Sequence, residues 1–314
     1  MNSEREEPLL ALSRRTLLAA VAAQSLIMAC GRGSQRATDQ VTNSSTLPQP
    51  TAAVAVTTSS TSSTTTTTSP PPSLVMMNDA GVTPDEIQLI TRILELAEAE
   101  LGDTGALRVF VYSDLEELLR SGAFEPAAVE HRRMIYTQGN VAEAGAGKII
   151  IYMPNFRRNQ DTEKIVIHEY YHEVQSYLRR SPISQSDVGV PRAGPSWLIE
   201  GSAEHFGYKL AGAHGFTSYS AARQRGVRAS RQLGPLNSYE NLRSFNAAGQ
   251  EGIWSFGVLT TEFMVSRYGE DKVKTEYWKA AKDTTEWQKA FTDTFGESVD
   301  AFYGAFDEYR STLR

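Results

Sequence analysis

Residues 163–179 read EKIVIHEYYHEVQSYLR, and no other stretch restricts the fold as tightly. Ile167, Tyr171, Val174 and Leu178 recur at helical spacing, so the segment folds as a helix with one packing stripe. Asp161 or Thr162 caps it, Arg179 and Arg180 suit its C-terminal end, and Pro182 lies beyond the stop. On that helix His168 and His172, four apart, share a face and can direct two imidazoles at one point. Two ligands of a tetrahedral ion such as Zn²⁺ need that arrangement. Glu169 sits about 100° further round, able to reach a water at such an ion without ligating it. The competing reading is a surface helix that happens to carry two histidines. Only 5 His occur in 314 residues, so a chance H-E-x-x-H is rare.

A second helix follows a loop rich in Ser, Gly and Pro. Ser196 is placed to cap it, and residues 197–208 read WLIEGSAEHFGY. Glu200 and Glu204 stand at i, i+4 on an otherwise apolar helix. Two carboxylates on one buried stripe repel each other and are costly to desolvate. A cation held by His168 and His172 removes the difficulty. Otherwise the two acids lie on a solvated face.

The rest of the chain divides by composition. Arg14-Arg15 precede an apolar run at 17–29 that is short for a membrane span and fits an export signal, by a twin-arginine or a general route. The run ends Leu26-Ile27-Met28-Ala29-Cys30, which resembles a bacterial lipobox. That resemblance implies cleavage before Cys30, the single cysteine, and a lipid anchor on its sulfur in the membrane. One cysteine also excludes an intrachain disulfide and a Cys-based zinc site. Residues 30–75 are expected to be a tether, rich in Ser, Thr and Pro and too poor in apolar side chains to offset ordering entropy. The net charge of −6 argues against a nucleic-acid partner.

Residues 76–314 form the expected folded domain. Thr83-Pro84-Asp85-Glu86 reads as a capping box opening a helix that ends at Gly102. Residues 107–112 and 148–153 read as strands, and 134–137 as a further one. The strand at 148–153 could offer its backbone to an extended peptide or serve as a plain core strand. Beyond residue 181 the pattern is helical, with helices expected at 216–232, 253–268, 270–281, 284–295 and 298–313. The expected fold class is therefore α+β: a small N-terminal mixed sheet with helices through the H-E-x-x-H helix (76–180), then a mostly helical part (181–314).

The pair HEYYH at 168–172 and WLIEGSAEHF at 197–206 resembles the gluzincins, the zinc peptidase clan of thermolysin, and is most similar to its short peptidase MA-like branch. There the second motif runs W-L-x-E-G-x-A-E. The resemblance, covering residues of about 148 to 310, implies a gluzincin-like fold with Zn²⁺ held by His168, His172 and Glu200. It implies Glu204 bonded to a ligand histidine, Glu169 as the base, and a peptide or protein as substrate. Tyr268-Gly269 match the branch, but Trp254 stands where a Tyr that donates to the oxyanion is expected. Its indole N–H can substitute, or Trp254 packs as a core aromatic, and Tyr219, Tyr239 and His214 are other candidates. A metzincin is excluded, because Gln175 and Leu178 stand where its glycine and third histidine belong. The expected activity is zinc-dependent peptide hydrolysis at the outer face of a bacterial cytoplasmic membrane. The alternative is a catalytically inactive zinc-binding module serving as an envelope scaffold.

Overall fold

The computed structural model describes residues 74–182, 193–247, 250–282 and 286–313. The export signal, Cys30 and the tether up to residue 73 lie outside the described residues. The architecture is mixed α+β, a four-stranded sheet followed by helices. Strands β1 (Val75–Asn78), β2 (Arg108–Tyr112), β3 (Ala142–Ala144) and β4 (Lys148–Tyr152) lie in the order β1-β2-β4-β3. β1, β2 and β4 run parallel, and β3 pairs antiparallel with β4.

Period-two alternation makes the sheet two-sided. Val109, Val111, Ile149 and Ile151 face the main core, with helices α1 (Pro84–Leu101) and α5 (Thr162–Arg179). Phe110 and Ile150 face a smaller cluster. There they meet Leu118 of α2 (Leu115–Arg120) and Ile135 and Tyr136 of α3 (Val129–Thr137). α1 starts as expected: Thr83 and Glu86 form the capping box, and Arg157 closes on the Glu86 carboxylate at 2.6 and 2.8 Å.

Residues 134–137 are the end of helix α3, not a strand. Adjacent Ile135 and Tyr136 are both buried against the sheet, and four residues are too few for periodicity to separate the two states. The strand that exists nearby is β3, whose sequence AEA has no β-forming residue. It forms because the turn through Gly145, Ala146 and Gly147, all at positive φ, folds it back on β4. β4 is consequently interior, with β2 on one side and β3 on the other, so it has no free edge for a peptide. It stops at Tyr152, and Met153 opens the one-turn helix α4 (Met153–Phe156).

α5 leads to α6 (Ser196–Ala213), which packs on it and on α9 (Gln250–Tyr268). Neither α5 nor α6 takes its expected side-chain cap. Asp161 is in the left-handed region, where its carboxylate accepts from Tyr208 Oη at 3.3 Å and from Thr217. Ser196 is already helical, and its N–H donates to the Glu240 carbonyl at 2.7 Å. α7 (Tyr219–Ser230), α8 (Leu242–Ala247), α10 (Tyr277–Ala280), α11 (Trp287–Phe295) and α12 (Val299–Thr312) complete the helical part. The helix expected at 270–281 is present over residues 270–280, with a π-helical turn, Lys272–Glu276, inside it. Among the described residues no helix is long and apolar enough to cross a membrane.

Candidate metal centre

α5 and α6 cross closely enough to place His168, His172 and Glu200 around one point. His168 Nε2 and His172 Nε2 are 3.0 Å apart, and Glu200 Oε2 is 3.4 and 3.3 Å from them. Donor atoms about 2.0–2.1 Å from a tetrahedral ion stand about 3.3 Å from each other. The three atoms thus have the spacing of three corners of such a tetrahedron, and the group could hold a metal ion. Two glycines in α6 permit its close packing, Gly201 against α9 and Gly207 against α5. A Cβ on Gly201, next to Glu200, would lie 2.9 Å from Gly257 Cα in α9. One on Gly207 would lie 3.2 Å from the Lys164 carbonyl and 3.4 Å from His168 Cβ in α5.

Each histidine is fixed through its other nitrogen. His168 Nδ1 stands 3.0 Å from Glu204 Oε2. Both Glu204 oxygens also accept from Lys164 Nζ at 2.8 Å, in a buried ion pair one helical turn before His168. His172 Nδ1 lies 2.8 Å from Gln175 Oε1. The Gln175 amide nitrogen donates to the Ile199 carbonyl at 3.1 Å and to Ser202 Oγ at 3.0 Å. That leaves the amide oxygen to accept from His172 Nδ1–H, so Nε2 carries the lone pair a metal needs. Neither Lys164 nor Gln175 was given a role at this centre from the sequence. Both were accessible to helical counting, at i−4 from His168 and i+3 from His172.

The electrostatics call for a cation. Burial would lower His168, but Glu200 and Glu204 override it and push its pKa up to about 9. Burial also opposes a charged His172, and the Glu200 charge raises it. Glu200, against its burial, is held well below the usual carboxylate range by His172 and His168. Glu204 is pulled down to about 2, with Lys164 as the largest influence opposing burial. Lys164 already balances Glu204, so the charge left to balance is that of Glu200, and either a proton on the histidines or a divalent ion can do so.

Glu169 is 3% exposed, and its charge reaches both ligand histidines. Trp254, at 8% exposure, sets its ring 5.8 Å from the His168 ring and edge-on to Phe245. Its Nε1–H is enclosed and has no hydrogen-bond partner among the described residues. No known protein family, curated protein or solved structure matches the chain, so the reading of this centre rests on its own geometry. The other donor candidates have these contacts. Tyr219 Oη donates to Glu262 at 2.9 Å, Tyr239 Oη accepts from the Gly234 N–H at 2.9 Å, and His214 caps the far end of α6. His205 is buried at the α6 face toward Tyr219, and burial lowers its pKa to about 4; it is not part of the ligand group.

Proposed function

We propose that this chain is a zinc-dependent peptide hydrolase of gluzincin type, tethered outside the cytoplasmic membrane through lipid on Cys30. The observation that carries the reading is the triangle of His168 Nε2, His172 Nε2 and Glu200 Oε2 with Glu169 at the adjoining helix position. Two imidazoles and one carboxylate form the donor set of catalytic zinc sites, which keep a fourth position open. Zn²⁺ bound there would lower the pKa of a water and polarise a substrate carbonyl.

The remaining work falls to side chains of this chain. Glu169 takes the proton from the attacking water and returns it to the leaving amine. Glu204 and Gln175 keep both imidazoles oriented while charge redistributes. Trp254 Nε1–H donates to the carbonyl oxygen as it gains negative charge, which supplies the acceptor this buried indole lacks. The leader and lipobox-like segment support the location.

Chelation tests the proposal. Dialysis against a zinc chelator is expected to stop hydrolysis of a mixed peptide library, and added Zn²⁺ to restore it. Hydrolysis that persists after complete metal removal overturns it. A zinc-loaded chain that cleaves no peptide at any pH favours the non-catalytic module.

A further inference from the structure

A pocket of about 930 Å³ opens beside the C-terminal half of α5. Glu173 and Ser176 line it from the helix, Arg180 from the left-handed residue that ends it, Gly147 from the β3–β4 turn, and Lys279 and Lys282 from α10 and the residues after it. Positions 169, 173 and 176, spaced by four and three, share one helix face, and Arg180 follows at the helix end. The pocket therefore lies on the face that carries Glu169, one to three turns further along. At about 1.5 Å rise per residue, Arg180 stands about 16 Å beyond Glu169. An extended peptide covers that distance in about five residues.

The charge of the pocket is unlike that of the chain. The net charge is −6, yet among the described residues three cations, Arg180, Lys279 and the partnered Lys282, line this space with one acid. That acid, Glu173, is buried and accepts the Gly147 N–H at 2.8 Å. Arg180 and Lys279 are exposed, and neither has an ion-pair partner among the described residues. The wall at Gly147 continues from the edge strand of the sheet. Ala142 and Glu143 are covered, whereas Ala144 to Gly147 are half-buried or exposed. The accessible end of the edge strand thus leads into the cationic pocket.

We infer that this pocket is an extended subsite that selects a carboxylate on the peptide, two to five residues from the scissile bond. The occupant rests on the peptide-hydrolase reading; the cationic lining does not. Arg180 and Lys279 supply the attraction, and the exposed setting keeps it moderate and salt-sensitive.

Binding tests the subsite without turnover. The zinc-loaded full chain carrying Glu169→Gln is titrated with three dansyl-labelled peptides, followed by fluorescence anisotropy at low salt. Pentaglutamate amide offers side-chain carboxylates, pentaglutamine free acid a terminal one, and pentaglutamine amide neither. At least one of the first two is expected to bind about tenfold more tightly than the third. Which one does so identifies the source of the carboxylate. Arg180→Gln with Lys279→Gln is expected to cut the preference to under about threefold, and Arg228→Gln, on an exposed face of α7, to leave it unchanged. Equal binding of all three peptides, or a preference that survives the double substitution, overturns the inference. Hydrolysis of the peptide library by the wild-type chain is scored separately, so either reading can fail while the other stands.

Discussion

Gly201→Ala probes how the ligand group is assembled. The added Cβ would meet Gly257 Cα at 2.9 Å and the Gly257 carbonyl oxygen at 3.0 Å. Ordinary contact begins at 3.4 Å, so α6 and α9 must part by about 0.5 Å. Both obstacles are backbone atoms, so no side chain can swing aside. Gly201 adjoins Glu200, and a metal site tolerates about 0.2 Å in its ligand distances. The shift exceeds that tolerance, so zinc affinity is expected to fall roughly tenfold or more. Overpacking of this kind costs about 1–3 kcal/mol. For a domain of this size that lowers Tm by about 2–12 °C. Chelator competition measures the first effect, and thermal unfolding of the zinc-free chain by circular dichroism the second. Gly304→Ala is the control. Nothing lies within 4 Å of a Cβ there, so it is expected to stabilise the exposed helix slightly. Wild-type zinc affinity and Tm in Gly201→Ala would refute the argument that this crossing places Glu200.

Other outcomes follow from the same contacts. Gln175→Leu frees His172 Nδ1 and should weaken zinc binding about 10- to 100-fold by chelator competition. Trp254→Phe keeps the ring and removes the N–H; kcat is expected to drop by about tenfold or more with zinc content unchanged, and an unchanged kcat would make Trp254 a packing residue. In the zinc-free chain the stabilising contributions of His168 and Glu204 are both full between about pH 4.5 and 6.5. The His168 pKa is raised to about 9, so its contribution is full below 6.5 and is lost as pH rises toward 9. That of Glu204 is lowered to about 2, so its contribution is full above 4.5 and is lost as pH falls toward 2. Thermal unfolding across pH 3–10 checks both limbs, and His168→Asn should flatten the alkaline one.

The histidine pair of α5 and the acid pair of α6 were readable in advance because each depends on local geometry, whereas Glu200 as the third member of the group came from the gluzincin resemblance. Two helices, each with an i, i+4 pair, already determine which side chains share a face, and the misfit of Glu200 and Glu204 in an apolar helix pointed to a cation. Lys164 and Gln175 obey the same local rule, but a lysine and a glutamine on a helix are ordinary until their partners on α6 are known. The contact between Gly201 and Gly257 joins positions 56 residues apart, and no local pattern encodes it. The strand β3 was hidden for a related reason: Ala142, Glu143 and Ala144 become a strand through their pairing with Ile149, Ile150 and Ile151, not through their own preferences. With β3 unseen, β4 read either as a strand open to a peptide or as a plain core strand, and its place inside the sheet makes it the latter.

The central claim is that one ion at His168, His172 and Glu200 works with Glu169 to hydrolyse peptides. Elemental analysis and hydrolysis of one peptide mixture, run side by side on the wild-type chain and Glu169→Gln, test it most directly. The account predicts about one zinc per chain in both proteins and cleavage by the wild type alone. Undiminished cleavage by Glu169→Gln, or cleavage by a wild-type chain that contains no metal, would contradict it.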